Sequence, residues 1–162
     1  MLNRVVIVGG GIAGSALSIA LARRHIPVTL IERENRWTPA SSGIFIYCNG
    51  LMALDQLGVL DDICASGWVS PDGGNLYLSE DGSTITHTVY PRGNAHVPAI
   101  VGMRRVELHR VLAGAVEQLG VGKVSTDAGR RQVKSEINTK AQAVGQECAC
   151  SACITAIQRD ET

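Results

Sequence analysis

Hydrophobic positions along this chain change their spacing several times. Arg4 to Val8 is a short β-branched run that ends at glycine, the pattern of a buried parallel strand. From Ile12 to Arg24, Ala, Leu and Ile fill nearly every face, which predicts a helix packed closely on a sheet. Pro27 follows, and Val28 to Ile31 predicts a second buried strand. Strand, glycine turn, helix and strand in this order make a βαβ unit.

Arg33 to Gly43 is polar, with Pro39, Ser41 and Ser42, and predicts a loop. Leu51, Leu54 and Leu57 have helical spacing, so a helix is expected over Leu51 to Leu60, with Gly58 near its end. Asn75 to Ser79 and Thr84 to Val89 flank the sequence EDGS, and Asp-Gly between two alternating runs is a hairpin signal. Val106 to Leu119 places Leu108, Val111, Leu112, Ala115, Val116 and Leu119 on one helical face. Beyond Gly120 apolar residues thin out, with at most a weakly amphipathic helix over Arg131–Val144, and no internal repeat is present.

The first strand–helix junction carries the chemistry. Gly9, Gly11 and Gly14 form GxGxxG between strand and helix. The first glycine permits a tight turn, the second lets the backbone approach a pyrophosphate, and the third lets helix and strand pack closely. The phosphate would meet free amides at a helix N-terminus, where the dipole favours negative charge. Glu32 ends the second strand, eighteen residues after Gly14. A carboxylate there accepts hydrogen bonds from the adenosine ribose hydroxyls and repels a 2′-phosphate, which disfavours NADP in this site. Both NAD and FAD use such a turn.

Composition narrows the partners. Of 162 residues, 45% are hydrophobic and 19% charged, a globular balance. Lys+Arg and Asp+Glu number 15 each, so no net field attracts nucleic acid or an anionic membrane. Aromatic residues at 4% leave little for a base-stacking surface. Glycines interrupt the apolar run from Val5 to Ala22, which makes it a poor transmembrane helix or signal segment. The expected setting is therefore cytoplasmic. Five cysteines without a secretory signal do not suggest a disulfide framework.

Three segments in order give a resemblance. GGGIAG, from Gly9 through Ala13 to Gly14, with Glu32–Arg33 after the second strand, resembles the N-terminus of the FAD-dependent monooxygenases of the aromatic-hydroxylase type. SSGIFIYCNGLMALDQLGVLDDI resembles that family's next segment, in which a glycine, here Gly43, passes near the flavin. MRRVELHRVL matches an arginine three residues before a leucine and a second leucine four residues on: Arg105, Leu108 and Leu112. In the family that arginine contacts the FAD.

The resemblance covers about residues 1–121, read as the N-terminal FAD-binding portion, with 122–162 as a divergent, poorly ordered tail. It implies an α/β, Rossmann-like fold, incomplete, with the hairpin opening a substrate domain. It also implies a reaction. NAD(P)H reduces the flavin, dioxygen reacts with it, and one oxygen atom passes to an aromatic or other electron-rich small molecule. The implied cofactor-binding residues are Gly9, Gly11, Ala13, Gly14, Glu32, Arg33, Gly43 and Arg105.

No acid–base pair stands out. His25, His87, His96 and His109 are scattered along the sequence, and their spacing singles out none of them as a catalyst. The family's later Asp-Gly and Gly-Asp motifs do not appear, so turnover is not expected of this chain alone. CITAIQRDET resembles a family strand that would come soon after Gly120, as if Gly122 to Ala149 were inserted or out of frame. Cys148, Cys150 and Cys153 form CxCxxC, but a structural zinc site needs four ligands, and no metal is expected. Two readings compete with the monooxygenase: a nucleotide-binding fragment without activity, and an NAD-binding dehydrogenase domain. The hairpin breaks the strand–helix rhythm of the latter.

Overall fold

The computed structural model describes residues 4–32, 42–124 and 154–158. In chain order the elements begin with β1 (Arg4–Val8), α1 (Ile12–Ala22), β2 (Val28–Ile31), β3 (Gly43–Tyr47), α2 (Cys48–Gln56) and α3 (Leu60–Ser66). They continue with β4 (Trp68–Ser70), β5 (Gly74–Leu78), β6 (Thr84–Val89), β7 (Ile100–Arg104), α4 (Arg105–Gln118), β8 (Gly122–Val124) and β9 (Ile154–Gln158). Two units result: Met1–Thr38 with Leu112–Thr162, and Pro39–Val111.

In the first unit β1 and β2 run parallel, Val5 opposite Val28 and Val8 opposite Ile31. The sheet order is β8-β2-β1-β9, with β8 parallel to β2 and β9 antiparallel to β1. All four residues of β2 are buried, as a strand covered on both faces requires. The buried side of α1 is not its most apolar one. It is Ser15, Ser18 and Ile19. Both serines are almost fully buried, and their hydroxyls donate to helix-end and helix carbonyls, Ser15 to Gly10 at 3.1 Å and Ser18 to Gly14 at 2.7 Å. Small side chains let the helix lie close to the strands, and the backbone bonds offset the cost of burying two hydroxyls.

Helix α1 ends where the chain turns into β2 through His25, whose φ is +58°. His25 donates to Ala22 at 2.9 Å and Ile26 to Leu21 at 3.1 Å, which satisfies the last carbonyls of the helix.

In the second unit β3, β7 and β4 form an antiparallel sheet with β7 central. Ile46, Val101 and Met103 on its strands are buried, as are Leu51 and Leu54 of α2 and Leu60 and Ile63 of α3, which contact this sheet or each other. The single helix expected over Leu51 to Leu60 is two helices. Gly58 adopts φ +64°, Gly58 donates to Asp55 and Val59 to Leu54, and this left-handed cap stops α2 before α3 begins. The hairpin is β5–β6, with Ser79 to Ser83 as its turn. Of the face expected from spacing, helix α4 buries Leu108, Leu112 and Val116, while Val111 and Ala115 are half-buried and Leu119, past the end of the helix, is exposed.

Strands β8 and β9 lie beyond Gly120, within the stretch 122–162 expected to be a poorly ordered tail; their pairing with β2 and β1 orders these two segments. The second of them, ITAIQ, belongs to the stretch that resembles a family strand. The helix expected over residues 131–144 and the cysteines at 148, 150 and 153 lie outside the described residues. No described helix is long and apolar enough to cross a membrane.

Candidate cofactor site

The turn from β1 into α1 follows from three glycines with three different surroundings. Gly9 has φ +102°, which L side chains rarely adopt, and its amide donates to Ile31 at 2.8 Å, tying the turn to β2. At Gly14 a Cβ would collide with the carbonyl oxygen of Gly9 and press on Ile7, so helix and strand are in backbone contact there. Gly11 differs from both. It precedes the helix with φ −69° and ψ −171°, and a Cβ there would meet nothing within 4 Å. Neither backbone strain nor protein packing requires glycine at this position.

No side chain caps α1, and its first internal bond is Ser15 to Gly11 at 2.9 Å. The amides of Ile12, Ala13 and Gly14 precede that bond at the positive end of the helix dipole. Ala13 is exposed beside them. The turn thus offers an anion amides without side-chain obstruction.

Glu32 is half-buried directly after β2, and its Oε2 accepts the Gly10 amide at 2.6 Å. The Glu32 side chain also fills the space over Gly10, at 3.1 to 3.3 Å from where a Cβ would stand. Sequence reasoning passed over Gly10, the glycine outside the GxGxxG register. The run of three glycines was its signal. Ser15 was also missed, although its hydroxyl braces the Gly10 carbonyl from inside the helix.

Gly43 and Arg105 both belong to the second unit. Gly43 opens β3 opposite Arg104 of β7, and the Arg105 amide donates to Ser42 at 2.9 Å. Gly43 is exposed, with open space where a Cβ would be. Arg104 and Arg105 differ in their commitments. Arg104 pairs with Glu107 at 2.8 Å, and Arg110 holds the other oxygen of the same carboxylate. Arg105 is exposed at the first turn of α4, with no ion-pair partner among the described residues. Arg33 lies outside the described residues, and no group of metal-ligating side chains occurs among those described.

A mixed α/β fold with a glycine turn, an open helix N-terminus and an acid after the second strand defines a nucleotide-binding domain. Over residues 3–149 the chain matches the FAD binding domain family, and it belongs to that family. It is 32% identical over 127 residues to the FAD-dependent monooxygenase pytG of Aspergillus terreus, covering 78% of this chain and 37% of that protein. It is 45% identical over 56 residues to 3-hydroxybenzoate 6-hydroxylase of Klebsiella oxytoca, 35% of this chain and 14% of that one. The tetrameric form of 2-methyl-3-hydroxypyridine-5-carboxylic acid oxygenase superposes with a TM-score of 0.59 at 26% identity, over 76% of this chain and 31% of that one. The chain thus spans 14% to 37% of these relatives' length. Membership decides between the two dinucleotides in favour of FAD. The residues present fit it: amides for a diphosphate, a carboxylate for a diol, and open space at Gly11.

Proposed function

We propose that this chain provides the FAD-binding portion of a flavin-dependent monooxygenase that hydroxylates an aromatic or other electron-rich small molecule with NAD(P)H and dioxygen. The supporting observation is Gly11, a glycine that folding does not require, at the mouth of an uncapped helix N-terminus. Close approach of a ligand's diphosphate accounts for it. In this reading Gly9 shapes the turn, Gly11 and Ala13 leave the amides accessible, and Gly14 sets the helix against β1. Glu32 takes the ribose hydroxyls, and Arg33 follows it on the same segment. Gly43 leaves room for the flavin side of the cofactor, and Arg105 supplies it with a positive charge. FAD, when bound, supplies the redox and oxygen chemistry. The protein's own share is binding, orientation and exclusion of water.

Titration of the chain with FAD, followed by flavin fluorescence, tests this reading. Saturable binding is expected, weakened several-fold by Arg105→Ala and unchanged by Arg104→Ala, whose guanidinium already serves Glu107. Absence of FAD binding overturns the reading. Equal losses from both arginine variants overturn the role of Arg105. Hydroxylated product from a phenolic acid, NAD(P)H and dioxygen, found by mass spectrometry in the longer protein, tests the reaction.

A further inference from the structure

Three consecutive glycines, Gly9 to Gly11, give the turn between β1 and α1 wide backbone freedom. Presenting amides to an anion requires the opposite, peptides held in one orientation. Ser15 supplies that restraint.

Ser15 is only 1% exposed. Its hydroxyl donates to the Gly10 carbonyl at 3.1 Å, and its amide donates to the Gly11 carbonyl at 2.9 Å. One residue therefore holds the carbonyls of both peptides that flank Gly11. A trans peptide points its C=O and its N–H in opposite directions. With the Gly10 carbonyl turned toward the buried Ser15, the Gly11 N–H points away from it, and that amide has no partner among the described residues. The preceding peptide has the same sense. Its Gly9 carbonyl lies against Gly14, and its Gly10 amide reaches Glu32 at 2.6 Å. Two carbonyls thus face α1 while two successive amides face away, a concavity suited to an anion.

The reach of the Ser15 hydroxyl sets it apart. A helical serine ordinarily bonds a carbonyl three or four residues back in its own helix, as Ser18 does with Gly14 at 2.7 Å. Ser15 bonds five residues back, past the start of the helix and into the turn. Gly10 is buried, so loss of the hydroxyl leaves its carbonyl short of a partner. With glycine on either side, that peptide can rotate toward a new partner, and the Gly11 N–H rotates with it.

We propose that Ser15 is a positioning residue for the cofactor's diphosphate: its hydroxyl fixes the Gly10–Gly11 peptide so that the Gly11 amide is aimed at the phosphate before the phosphate binds. Ser18, fully buried on the same helix, has no such role. The proposal rests on the FAD-binding reading and adds to it a residue that acts without touching the ligand.

The test compares Ser15→Ala with Ser18→Ala in the full ¹⁵N-labelled chain, titrated with inorganic pyrophosphate and, separately, with FAD. Each variant loses one buried hydroxyl and one bond to a backbone carbonyl, so a merely structural role affects both alike. Alanine favours the helix at either position, and both variants fold. In the parent chain pyrophosphate moves the Gly11 amide proton signal downfield. Ser15→Ala loses that shift and binds pyrophosphate and FAD about fivefold more weakly, the worth of one hydrogen bond. Ser18→Ala keeps the shift and both affinities. Absence of the Gly11 shift in the parent, its retention in Ser15→Ala, or equal losses from the two variants overturns the proposal. A chain that binds pyrophosphate but no FAD overturns the FAD-binding reading, while the Gly11 signal still judges Ser15.

Discussion

The Gly10 amide and the Glu32 carboxylate meet at 2.6 Å across 22 residues of sequence. One oxygen of the acid is thereby fixed against the glycine turn, and the carboxylate is oriented before any ligand arrives. Glu32→Ala should remove charge-assisted bonds to a ribose, each worth about 1.5–3 kcal/mol. FAD affinity should fall by roughly tenfold to a hundredfold. Equal FAD affinity for the variant and the parent, read by flavin fluorescence, would remove Glu32 from the site.

Gly11 and Gly14 should respond to alanine in opposite ways. At Gly14 the added methyl collides with the Gly9 carbonyl and must push α1 off β1. Overpacking of this kind costs about 1–3 kcal/mol, so Gly14→Ala should melt at a clearly lower temperature. At Gly11 the methyl meets no protein atom, so Gly11→Ala should melt like the parent while binding FAD more weakly. Loss of stability in Gly11→Ala would contradict the assignment.

His25 holds a left-handed conformation at the end of α1. An L residue there costs about 1–2 kcal/mol, partly offset by the entropy that glycine loses on folding. His25→Gly should therefore stabilise the chain by about 0.5–1 kcal/mol and raise Tm by roughly 1–4 °C. A lower Tm would mean that the imidazole makes compensating contacts.

The hairpin turn carries a pH dependence. The Ser79 hydroxyl first, then the Ser83 amide and hydroxyl, donate to Asp81 and lower its carboxyl from 3.8 to about 2. Because the folded value is depressed, these bonds support the turn fully above pH 4 and are lost as pH falls through about 2. Carboxyl ¹³C signals followed against pH should place the Asp81 midpoint near 2, and Ser79→Ala should move it upward. An ordinary midpoint in the parent chain would contradict the turn geometry.

The elements most legible in the sequence have strong periodicity and few local conflicts. Arg4–Val8 and Val28–Ile31 match the expected strands residue for residue, because unbroken β-branched runs between turn residues leave little choice. Strands β3 and β7 were not legible. Gly43 opens one, Gly102 interrupts the other, and both gain their stability from each other rather than from local pattern. Helix α3 was hidden because Asp61 and Asp62 break its apolar spacing, although acids suit the first turn of a helix. In the site, glycine spacing pointed to Gly9, Gly11 and Gly14. It could not reveal the Gly10–Glu32 bond, which depends on where the end of β2 lies in space.

Strand β1 has ladder partners on both sides, β2 and β9, and the glycine turn grows from its end. Opening that turn from the strand side therefore means breaking two ladders at once. In hydrogen exchange, the amides of Val6 to Val8 should be among the slowest of the chain, and the free amides at the start of α1 among the fastest. The open turn that would receive a phosphate thus grows from a strand held on both edges, so ligand capture there would proceed without loosening the strand beneath it.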